Sequence, residues 1–551
     1  MNWDVAHDWP EPFTDKLCVP LRRYSPDISA VVNEIVARPG WGTGPDGKVL
    51  AVVIEDRGSD PTSILASHDF HAAPLHCPFD SVEARLELYR TLRATFVGRE
   101  LVSRPTDESA TLSVMSLVTL DMYFEWGLSP GSYTHQSPVV CVPGGTPHVV
   151  RLERLRPDMR YYYRLRYRPA EGGPFEAGPP RTFHTARARG SSFTFAIVAD
   201  SHLQELGWTP NGYALYRRTL QNVSWDAPDF LLDMGDSIHS EMYAGRDVVD
   251  FAEAVDRQLD QRPYLDLACH SAPYYLVLGN HEGEQGWRLN GTPWNVAVWA
   301  ANARKLIYPL PQPDDFYTGD RYEAPFVGRR ENYYAWEWGD ALFVVLDPYW
   351  YTPRCPHGDI HYPGSGDNWD WTLGRDQYDW LGYTLQGSSA TFKFVFAHHI
   401  TGGVNTYGRG GIEAASHALG GRGSFEWGGE ALDGTYAFDC YRPGWGVPIH
   451  ALLVANGVTI FFHAHDHVFA RQELDGVIYQ ECPQPSDAAY STGYYALGEY
   501  VAGDVVPNTG HVRVTVAPQQ VTVDYVRAYL PGDGPNGEVA YSYTVPAARN
   551  R

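Results

Sequence analysis

The sequence predicts an α/β protein in which helices cover both faces of a β-sheet, with an all-β sandwich before it. From about residue 191, continuous apolar runs such as "SSFTFAIVAD" and "TFKFVFAHH" each end in polar residues. Helical stretches such as "DVVDFAEAVDRQLDQ" lie between some of these runs. Apolar strands that alternate with helices are typical of a sheet buried on both faces. From about 110 to 186, short strands alternate with turn residues, which favours an antiparallel sandwich.

The composition indicates a globular chain with an acidic surface. The chain has 551 residues, of which 44% are apolar, enough for several hydrophobic cores in roughly two to four domains. The formal net charge of −23 argues against a nucleic-acid backbone as the main partner, since such partners need a basic surface. The seven cysteines lie far apart without a CxxC pair, which argues against a disulfide framework or a thiolate zinc site.

The sequence contains no recognisable targeting or membrane segment. The first residues, "MNWDVAHDWPEPF", lack the basic and apolar regions of a signal peptide. No uncharged apolar run reaches the length of about 18 residues that a membrane span needs. We therefore expect a soluble chain without an export signal. A chain cut from a longer, extracytoplasmic precursor would leave the same pattern.

Changes of pattern along the chain predict three parts. Residues 1–90 form an accessory segment, with an amphipathic helix over "DISAVVNEIVARPGW" and a strand over "VLAVVIED". Residues 91–187 form the all-β sandwich, in which "RYYYRLRYRP" alternates tyrosines and a leucine with arginines, as in a half-buried strand. Residues 188–551 form the α/β domain.

Five short polar segments follow apolar strands of the predicted α/β domain. They are, in chain order, Asp200-Ser-His202, Gly235-Asp236, Gly279-Asn280-His281-Glu282, His398-His399 and His465-Asp-His467. Ligands of such sheets bind at the carboxyl ends of the strands, so these segments are expected to meet at one site. They supply oxygen and imidazole donors without a thiolate, enough for two divalent ions about 3.5 to 4 Å apart. The pattern predicts a dinuclear hydrolase.

The ordered set "DSH … GD … GNHE … FAHH … AHDH" closely resembles the calcineurin-like metallophosphoesterases, over about 188–551. The segment from "FEWGLSPGSYT" to "LERLRPDMRYYYRLRY" resembles fibronectin type III modules and the N-terminal domain of purple acid phosphatases. The resemblance implies a four-layered α/β/β/α sandwich behind a fibronectin-like sandwich. In that fold, the late runs "RQELDGVIYQECPQP" and "GHVRVTVAPQQVTVDYVRAY" should be edge strands that complete the second sheet.

Three positions depart from the family patterns. His239 stands where purple acid phosphatases have a ligating tyrosine, and the first motif contains His202, which those enzymes lack. One imidazole therefore replaces one tyrosinate, and the colour of an iron–tyrosinate pair should be absent. Ala464 stands where the last motif of the family usually has glycine, a change that removes no ligand.

The resemblance assigns roles by position. It implies a first metal ion held by Asp200, His202, Asp236 and His467. A second ion would be held by Asp236 as the bridge, together with Asn280, His398 and His465. His281 resembles the proton donor to the leaving group, and the alternative is a histidine that only orients the site. The nitrogen and oxygen donors suit iron, manganese and zinc alike, as divalent or trivalent ions.

Further residues are candidates for substrate contacts or for support. The glycine-rich segment 402–436 begins soon after the fourth motif, and a long loop beside a site often contributes to function. The candidates for substrate contact are His239, Asn405, Tyr407, Arg409 and Arg422. The neighbours His399, His463 and Asp466 are interpreted as packing or supporting residues. The alternative for segment 402–436 is a surface loop that packs on itself and has no role at the site.

These roles predict the hydrolysis of a small phosphoester substrate, which is a phosphomonoester, a phosphodiester or both. The ions acidify a bridging water, and the resulting hydroxide attacks phosphorus, so no protein nucleophile is needed. One alternative is an organophosphorus triesterase that uses the same site. Another is a surface-binding protein whose metal centre is structural or vestigial. Metal analysis and a substrate panel separate these alternatives.

The three histidines of "FFHAHDH" should differ in their effect on metal content. Alternation along an extended segment sends His465 and His467 to one side, where each can bind a different ion. His465→Ala and His467→Ala should therefore each deplete a distinct ion, while His463→Ala leaves both bound. Elemental analysis of the purified variants tests this prediction, and equal loss of metal in all three would contradict it.

Overall fold

The structure is a computed structural model. It describes residues 95–208, 211–241, 247–358, 362–420, 422–493 and 499–547. These residues all belong to one unit, Thr91–Arg551. The predicted accessory segment 1–90, with its helix and its strand, lies outside the described residues. The structure therefore bears on the sandwich and on the α/β domain.

The strands fall into an N-terminal and a C-terminal group. The N-terminal strands are β1 (Phe96–Ser103), β2 (Ser109–Ser116), β3 (Leu120–Gly127), β4 (His135–Gln136), β5 (Val140–Val142), β6 (Pro147–Glu153), β7 (Arg160–Pro169), β8 (Glu176–Ala177) and β9 (Arg181–His184). The C-terminal strands are β10 (Phe193–Val198), β11 (Phe230–Asp233), β12 (Tyr274–Leu276), β13 (Thr318–Gly319), β14 (Glu323–Ala324), β15 (Gly328–Arg329), β16 (Tyr334–Trp338), β17 (Ala341–Val345), β18 (Phe392–Phe396), β19 (Ile460–His463), β20 (Phe469–Leu474), β21 (Val477–Glu481), β22 (Asp504–Val506), β23 (Gly510–Ala517), β24 (Gln520–Arg527) and β25 (Val539–Pro546).

The helices of the described residues all lie after strand β10 in the chain. They are α1 (Gly212–Asp226), α2 (Phe251–Leu265), α3 (Val296–Ile307), α4 (Arg375–Gly387), α5 (His417–Gly420), α6 (Phe425–Gly428), α7 (Phe438–Tyr441) and α8 (Ile449–Ala455). Short 3₁₀ turns cover Leu203–Trp208, Gly286–Arg288, Asn368–Asp370 and Ile412–Ala414. Two long helices begin at capping side chains: Asp250 accepts from the N–H of Glu253 at 2.9 Å, and Asn295 accepts from that of Val298 at 3.0 Å. None of the helices that the structure describes has the length and apolar character that a membrane crossing needs.

Two large sheets form the α/β domain. In the described residues, one sheet has nine strands in the order β25-β24-β23-β10-β11-β12-β1-β2-β6. The other has eight, in the order β13-β16-β17-β18-β19-β21-β20-β22. Strands β10, β11 and β12 are parallel to one another, as are β17, β18, β19 and β21. Parallel strands have their carboxyl ends at the same edge, so the segments that follow them lie close together.

Aromatic side chains fill the space between the two sheets. The ring of Phe195 lies 5.3 Å from that of Phe230 and 5.1 Å from that of Phe343, between ring centroids, and all three side chains are buried. Helices α1 and α2 contribute to the core on the outer face of the nine-stranded sheet, and α4 and α8 to the core on the outer face of the eight-stranded sheet. The resulting order of helix, sheet, sheet and helix confirms the predicted four-layered α/β class.

The two late runs form strands, as predicted, but in different sheets. Strands β20 and β21 belong to the eight-stranded sheet, whereas β23 and β24 belong to the nine-stranded sheet, and β21 and β23 each lie between two neighbours. The prediction that both runs are edge strands of one sheet is therefore wrong. Alternation of apolar residues indicates a strand, but it does not say with which strand the backbone pairs.

The N-terminal sandwich shares a sheet with the α/β domain. Strand β1 pairs in parallel with β12, where Ser103 lies opposite Tyr274, so β1, β2 and β6 extend the nine-stranded sheet. These strands face a second sheet with the order β4-β3-β7-β8, to which β5 and β9 also pair. In β7, Tyr161, Tyr163 and Leu165 are buried in the core of the sandwich, in line with the alternation of the sequence. The boundaries at 90 and 187 stay predictions.

Removal of an aromatic ring from the space between the sheets should destabilise the protein. Phe195→Ala would leave a cavity among Phe230 and Phe343, and such a change costs about 3 to 5 kcal/mol. We expect a clear fall in the free energy of unfolding, measured by chemical denaturation. Tyr383→Ala is the control, because this side chain is 75% exposed, and its effect should stay within about 0.5 kcal/mol. Equal effects of the two variants would contradict the proposed core.

Candidate metal centre

The predicted ligands all follow strands at one edge of the two sheets. The segments with Asp200, Asp236 and Asn280 come after β10, β11 and β12 of one sheet, and the segments with His398 and His465 come after β18 and β19 of the other. The ligand residues with left-handed backbone conformations are Asp200 (φ 55°), His202 (φ 46°), Asp236 (φ 52°), His465 (φ 83°) and His467 (φ 55°). Such conformations are strained for residues other than glycine and cluster at functional sites.

A first group of donor atoms consists of Asp200, His202 and His467. The Nε2 atoms of His202 and His467 lie 2.9 Å apart. The Oδ1 atom of Asp200 lies 3.4 Å from Nε2 of His467 and 3.9 Å from Nε2 of His202. Three donors that converge in this way can bind one cation.

A second group consists of Asp236, His398 and His465. The Oδ2 atom of Asp236 lies 3.0 Å from Nε2 of His398 and 4.0 Å from Nδ1 of His465. The Nε2 atom of His398 is also only 3.8 Å from Oδ1 of Asp200, so the two groups adjoin. Burial raises the pKa of Asp236, but the nearby His398 and His281 outweigh it and lower this pKa well below its usual range.

Several buried donor atoms of these groups and of Asn280 lack a hydrogen-bond partner among the described residues. They are Oδ1 of Asp200, Oδ2 of Asp236, Oδ1 of Asn280 and Nε2 of His398. The close approach of His398 to Asp236 lacks the geometry of a hydrogen bond. Unpaired polar atoms are costly to bury, and cations bound at these atoms would remove that cost. The nitrogen and oxygen donors therefore fit iron, manganese or zinc.

Backbone carbonyls hold two of the imidazoles in one tautomer. Nδ1 of His398 donates to the carbonyl of Met234 at 2.7 Å, and Nε2 of His465 donates to the carbonyl of Tyr407 at 2.9 Å. Because a carbonyl only accepts, these nitrogens carry the proton. The other nitrogen of each ring faces the neighbouring carboxylates, in the position from which it could bind a metal ion.

His281 lies beside the two groups, and a carboxylate holds its ring. Its Nδ1 atom lies 2.8 Å from Oε1 of Glu241, and its Nε2 atom lies 3.9 Å from Oδ2 of Asp236. Burial lowers the pKa of His281, but Asp236 and Glu241 outweigh it and raise this pKa to about 10. Glu241 in turn accepts from Arg288 at 2.8 Å. Sequence reasoning missed Glu241, and its only signal is its place in the polar segment after Asp236.

Glu282, the residue after His281, binds backbone N–H groups of the second and third motifs. Its carboxylate accepts from the backbone N–H groups of Asp236 at 2.9 Å, Ser237 at 3.0 Å and Gly279 at 2.6 Å. These bonds join the second motif to the third. Glu282 therefore fixes the backbone that presents two of the predicted ligands.

The remaining histidines of the motifs are buried. His239 places Nε2 at 2.8 Å from Nδ1 of His202, and its ring lies 4.1 Å from that of His281, between centroids. His399 packs against Trp371, with 4.4 Å between centroids, and burial lowers its pKa to about 3. Nδ1 of His463 lies against a carboxylate oxygen of Glu481, at the end of strand β19. Burial lowers the pKa of His463 and raises that of Glu481.

The glycine-rich segment is attached to the turn between His465 and His467. Asp466 accepts from Arg409 at 3.0 Å, from the N–H of Gly410 at 2.7 Å and from the hydroxyl of Tyr500 at 2.9 Å. Arg409 also donates to the carbonyl of His465 at 2.9 Å. The loop and the ligand turn therefore support each other.

Three further loop residues that were predicted to touch substrate have contacts within the protein. Asn405 accepts from the N–H of Tyr407 at 3.0 Å, and Arg422 donates to the carbonyl of Val404 at 3.0 Å. The ring of Tyr407 stacks on His357 at 4.8 Å between centroids. A substrate contact by Asn405, Tyr407, Arg409 or Arg422 stays a prediction.

A sequence model of the calcineurin-like phosphoesterases matches residues 193–469, which is 277 of 551 residues. The chain belongs to the calcineurin-like phosphoesterase family. The match spans all the predicted metal ligands, from Asp200 to His467. As a member of this family, the protein is a metal-dependent phosphoester hydrolase, as the five motifs predicted. No curated protein matches the chain in sequence.

Two solved structures that are similar to this phosphoesterase have low sequence identity to it. The structure of PhoD has a TM-score of 0.58 at 15% identity, over 82% of this chain and 90% of PhoD. That likeness shows a shared fold. A purple acid phosphatase isolated from yellow lupin (Lupinus luteus) seeds has a TM-score of 0.46 at 15% identity, over 81% of this chain and 74% of its own.

Loss of the Glu282 carboxylate should weaken both the fold and the metal centre. Glu282→Ala would leave three backbone N–H groups without their acceptor, at about 1 to 3 kcal/mol each. We expect a lower free energy of unfolding and a lower metal content, measured by chemical denaturation and elemental analysis. Glu282→Gln keeps one acceptor oxygen and should lose less of both. An alanine variant with wild-type stability and metal content would refute this role.

Proposed function

We propose that the protein hydrolyses phosphomonoesters or phosphodiesters at a centre of two metal ions. The first ion would be held by Asp200, His202, Asp236 and His467, and the second by Asp236, Asn280, His398 and His465. The observation that carries the proposal is the convergence of buried donor atoms that lack hydrogen-bond partners among the described residues. Asp236 would join the two sets, since its Oδ2 atom lies 3.0 Å from Nε2 of His398, which is itself 3.8 Å from Oδ1 of Asp200 in the first set.

The charge of the centre supports an anionic substrate. Two divalent ions carry four positive charges, and Asp200 and Asp236 offset about two of them. The remainder of about +2 is a local attraction for phosphate in a chain whose net charge is −23. When bound, the ions would acidify a water molecule and stabilise negative charge on the phosphoryl oxygens.

His281 is proposed to transfer the proton to the leaving-group oxygen. Glu241 lies 2.8 Å from Nδ1 and orients the ring, so Nε2 points toward the donor groups. The side chain of His281 is 25% exposed, which lets a substrate reach it. A protonated imidazole next to the reacting ester is a suitable general acid.

The intact set of donors favours a centre that binds metal ions over a vestigial one, while turnover of a phosphoester separates a catalytic centre from a structural one. A vestigial centre would not keep several buried lone pairs unsatisfied at one place, since each is costly without a cation. A substrate panel would show whether the protein prefers mono-, di- or triesters. The same panel, repeated after iron, manganese or zinc is added back to metal-free protein, would show which metal supports activity.

Asp236→Asn tests the proposed centre. Mutation of a residue that only hydrogen-bonds to a metal ligand typically lowers metal affinity or activity about 10- to 100-fold. Loss of the shared carboxylate itself should therefore lower kcat/KM by more than about 100-fold. We expect this loss with an aryl phosphate and with an aryl phosphodiester, and a metal content below that of the wild type. Asp315→Asn, at an exposed position, is the matched control. Undiminished hydrolysis by metal-replete Asp236→Asn would refute the proposal.

A further inference from the structure

Glu205 places a carboxylate at the entrance of the metal centre. It lies in the 3₁₀ turn Leu203–Trp208, directly after the first motif. Its Oε2 atom is 3.8 Å from Nδ1 of His202, and its Oε1 atom is 4.0 Å from Nε2 of His239. The side chain of Glu205 is 40% exposed, whereas those of His202 and His239 are 5% and 1% exposed. The carboxylate therefore lies between the buried imidazoles and solvent.

The exposed side chains mark the side from which a substrate approaches. Among the residues that contribute to the centre, His281 and His467 are 25% and 22% exposed, while the carboxylates of Asp200 and Asp236 are buried. Glu205 belongs to the same open side, since it lies within 4.0 Å of the His202 and His239 rings that contact His467 and His281.

Two arginines beside the centre, in the part of the chain that the structure describes, are bound to other carboxylates. Arg409 donates to Asp466 at 3.0 Å, and Arg288 donates to Glu241 at 2.8 Å and also to Asp247. Their charges are therefore compensated within the protein. A phosphomonoester has one more negative oxygen than a phosphodiester and needs an additional positive or hydrogen-bonding group to bind it. At this entrance the structure places a negative group.

We infer that Glu205 selects the substrate class of the proposed function, favouring phosphodiesters, with one charge on the phosphoryl group, over phosphomonoester dianions. The inference rests on the proposed phosphoester hydrolysis. A phosphomonoester carries a charge close to −2 above pH of about 6, and a diester carries −1. Repulsion between like charges grows with the charge and falls with distance, so the carboxylate penalises the dianion more than the monoanion.

The test compares two esters with the same leaving group, 4-nitrophenyl phosphate and methyl 4-nitrophenyl phosphate, at a pH of about 8. The wild type should have the higher kcat/KM for the methyl diester. Glu205→Gln removes the charge and keeps the shape, and we expect the ratio of monoester to diester kcat/KM to rise about tenfold. Glu205→Asp retains the charge and is the matched control, with a ratio that stays within about threefold of the wild type.

A binding measurement supports the kinetic one. Calorimetry with inorganic phosphate and with dimethyl phosphate gives the affinity of the metal-loaded protein for a dianion and for a monoanion. In Glu205→Gln, the Kd for inorganic phosphate should fall about tenfold relative to that for dimethyl phosphate. The metal content of each variant is determined on the same samples.

Four outcomes would overturn the inference. They are a wild type that prefers the monoester, an unchanged ratio in Glu205→Gln, an unchanged relative Kd for inorganic phosphate, and an equal loss of both activities together with bound metal. The last outcome would mean that Glu205 only supports the histidines. If the metal-loaded wild type hydrolyses neither ester, the proposed function fails, and the binding comparison still decides the role of Glu205.

Discussion

The buried carboxylate of Asp236 is the constraint on which the rest of the centre depends. Its Oδ1 atom accepts from the backbone N–H of His281 at 2.8 Å, and its Oδ2 atom lies 3.0 Å from the imidazole of His398. Its own N–H donates to Glu282. A buried charge is costly unless other groups compensate it. The carboxylate comes from one sheet and His398 from the other, so its compensation requires both sheets to end at the same place.

The packing between the sheets makes that arrangement rigid. Phe195, Phe230 and Phe343 meet at centroid distances between 5.1 and 5.3 Å, from strands that lead toward the metal centre. Close packing resists displacement and can support strained turns. Asp200 and His467 adopt left-handed backbone conformations at such turns. The strain at the Asp200 turn is therefore offset by the burial of Phe195, five residues earlier in the chain.

Charge at the site is arranged locally and not over the whole chain. In our proposal the acidic chain attracts phosphate where the metal ions bind, while two neighbouring arginines serve the scaffold: Arg409 binds Asp466, and Arg288 binds Glu241. A pair that is bound and largely buried gives little net attraction to a ligand. In our proposal, selection among phosphate esters depends on charged groups such as Glu205, which lies within 4.0 Å of the imidazoles of His202 and His239.

The sequence by itself determined the strands, the family and the residues that converge at the centre, because each motif is local and directly follows an apolar strand. The tertiary structure alone decided which groups support them. Glu241, and not the adjacent Glu282, orients His281, since the backbone turn aims Glu282 at three N–H groups. It likewise decided that β20–β21 and β23–β24 join different sheets and that Arg409 binds Asp466. Residues that contact each other in this way are distant in the sequence. The alternation of side chains also does not show which strands pair through their backbones.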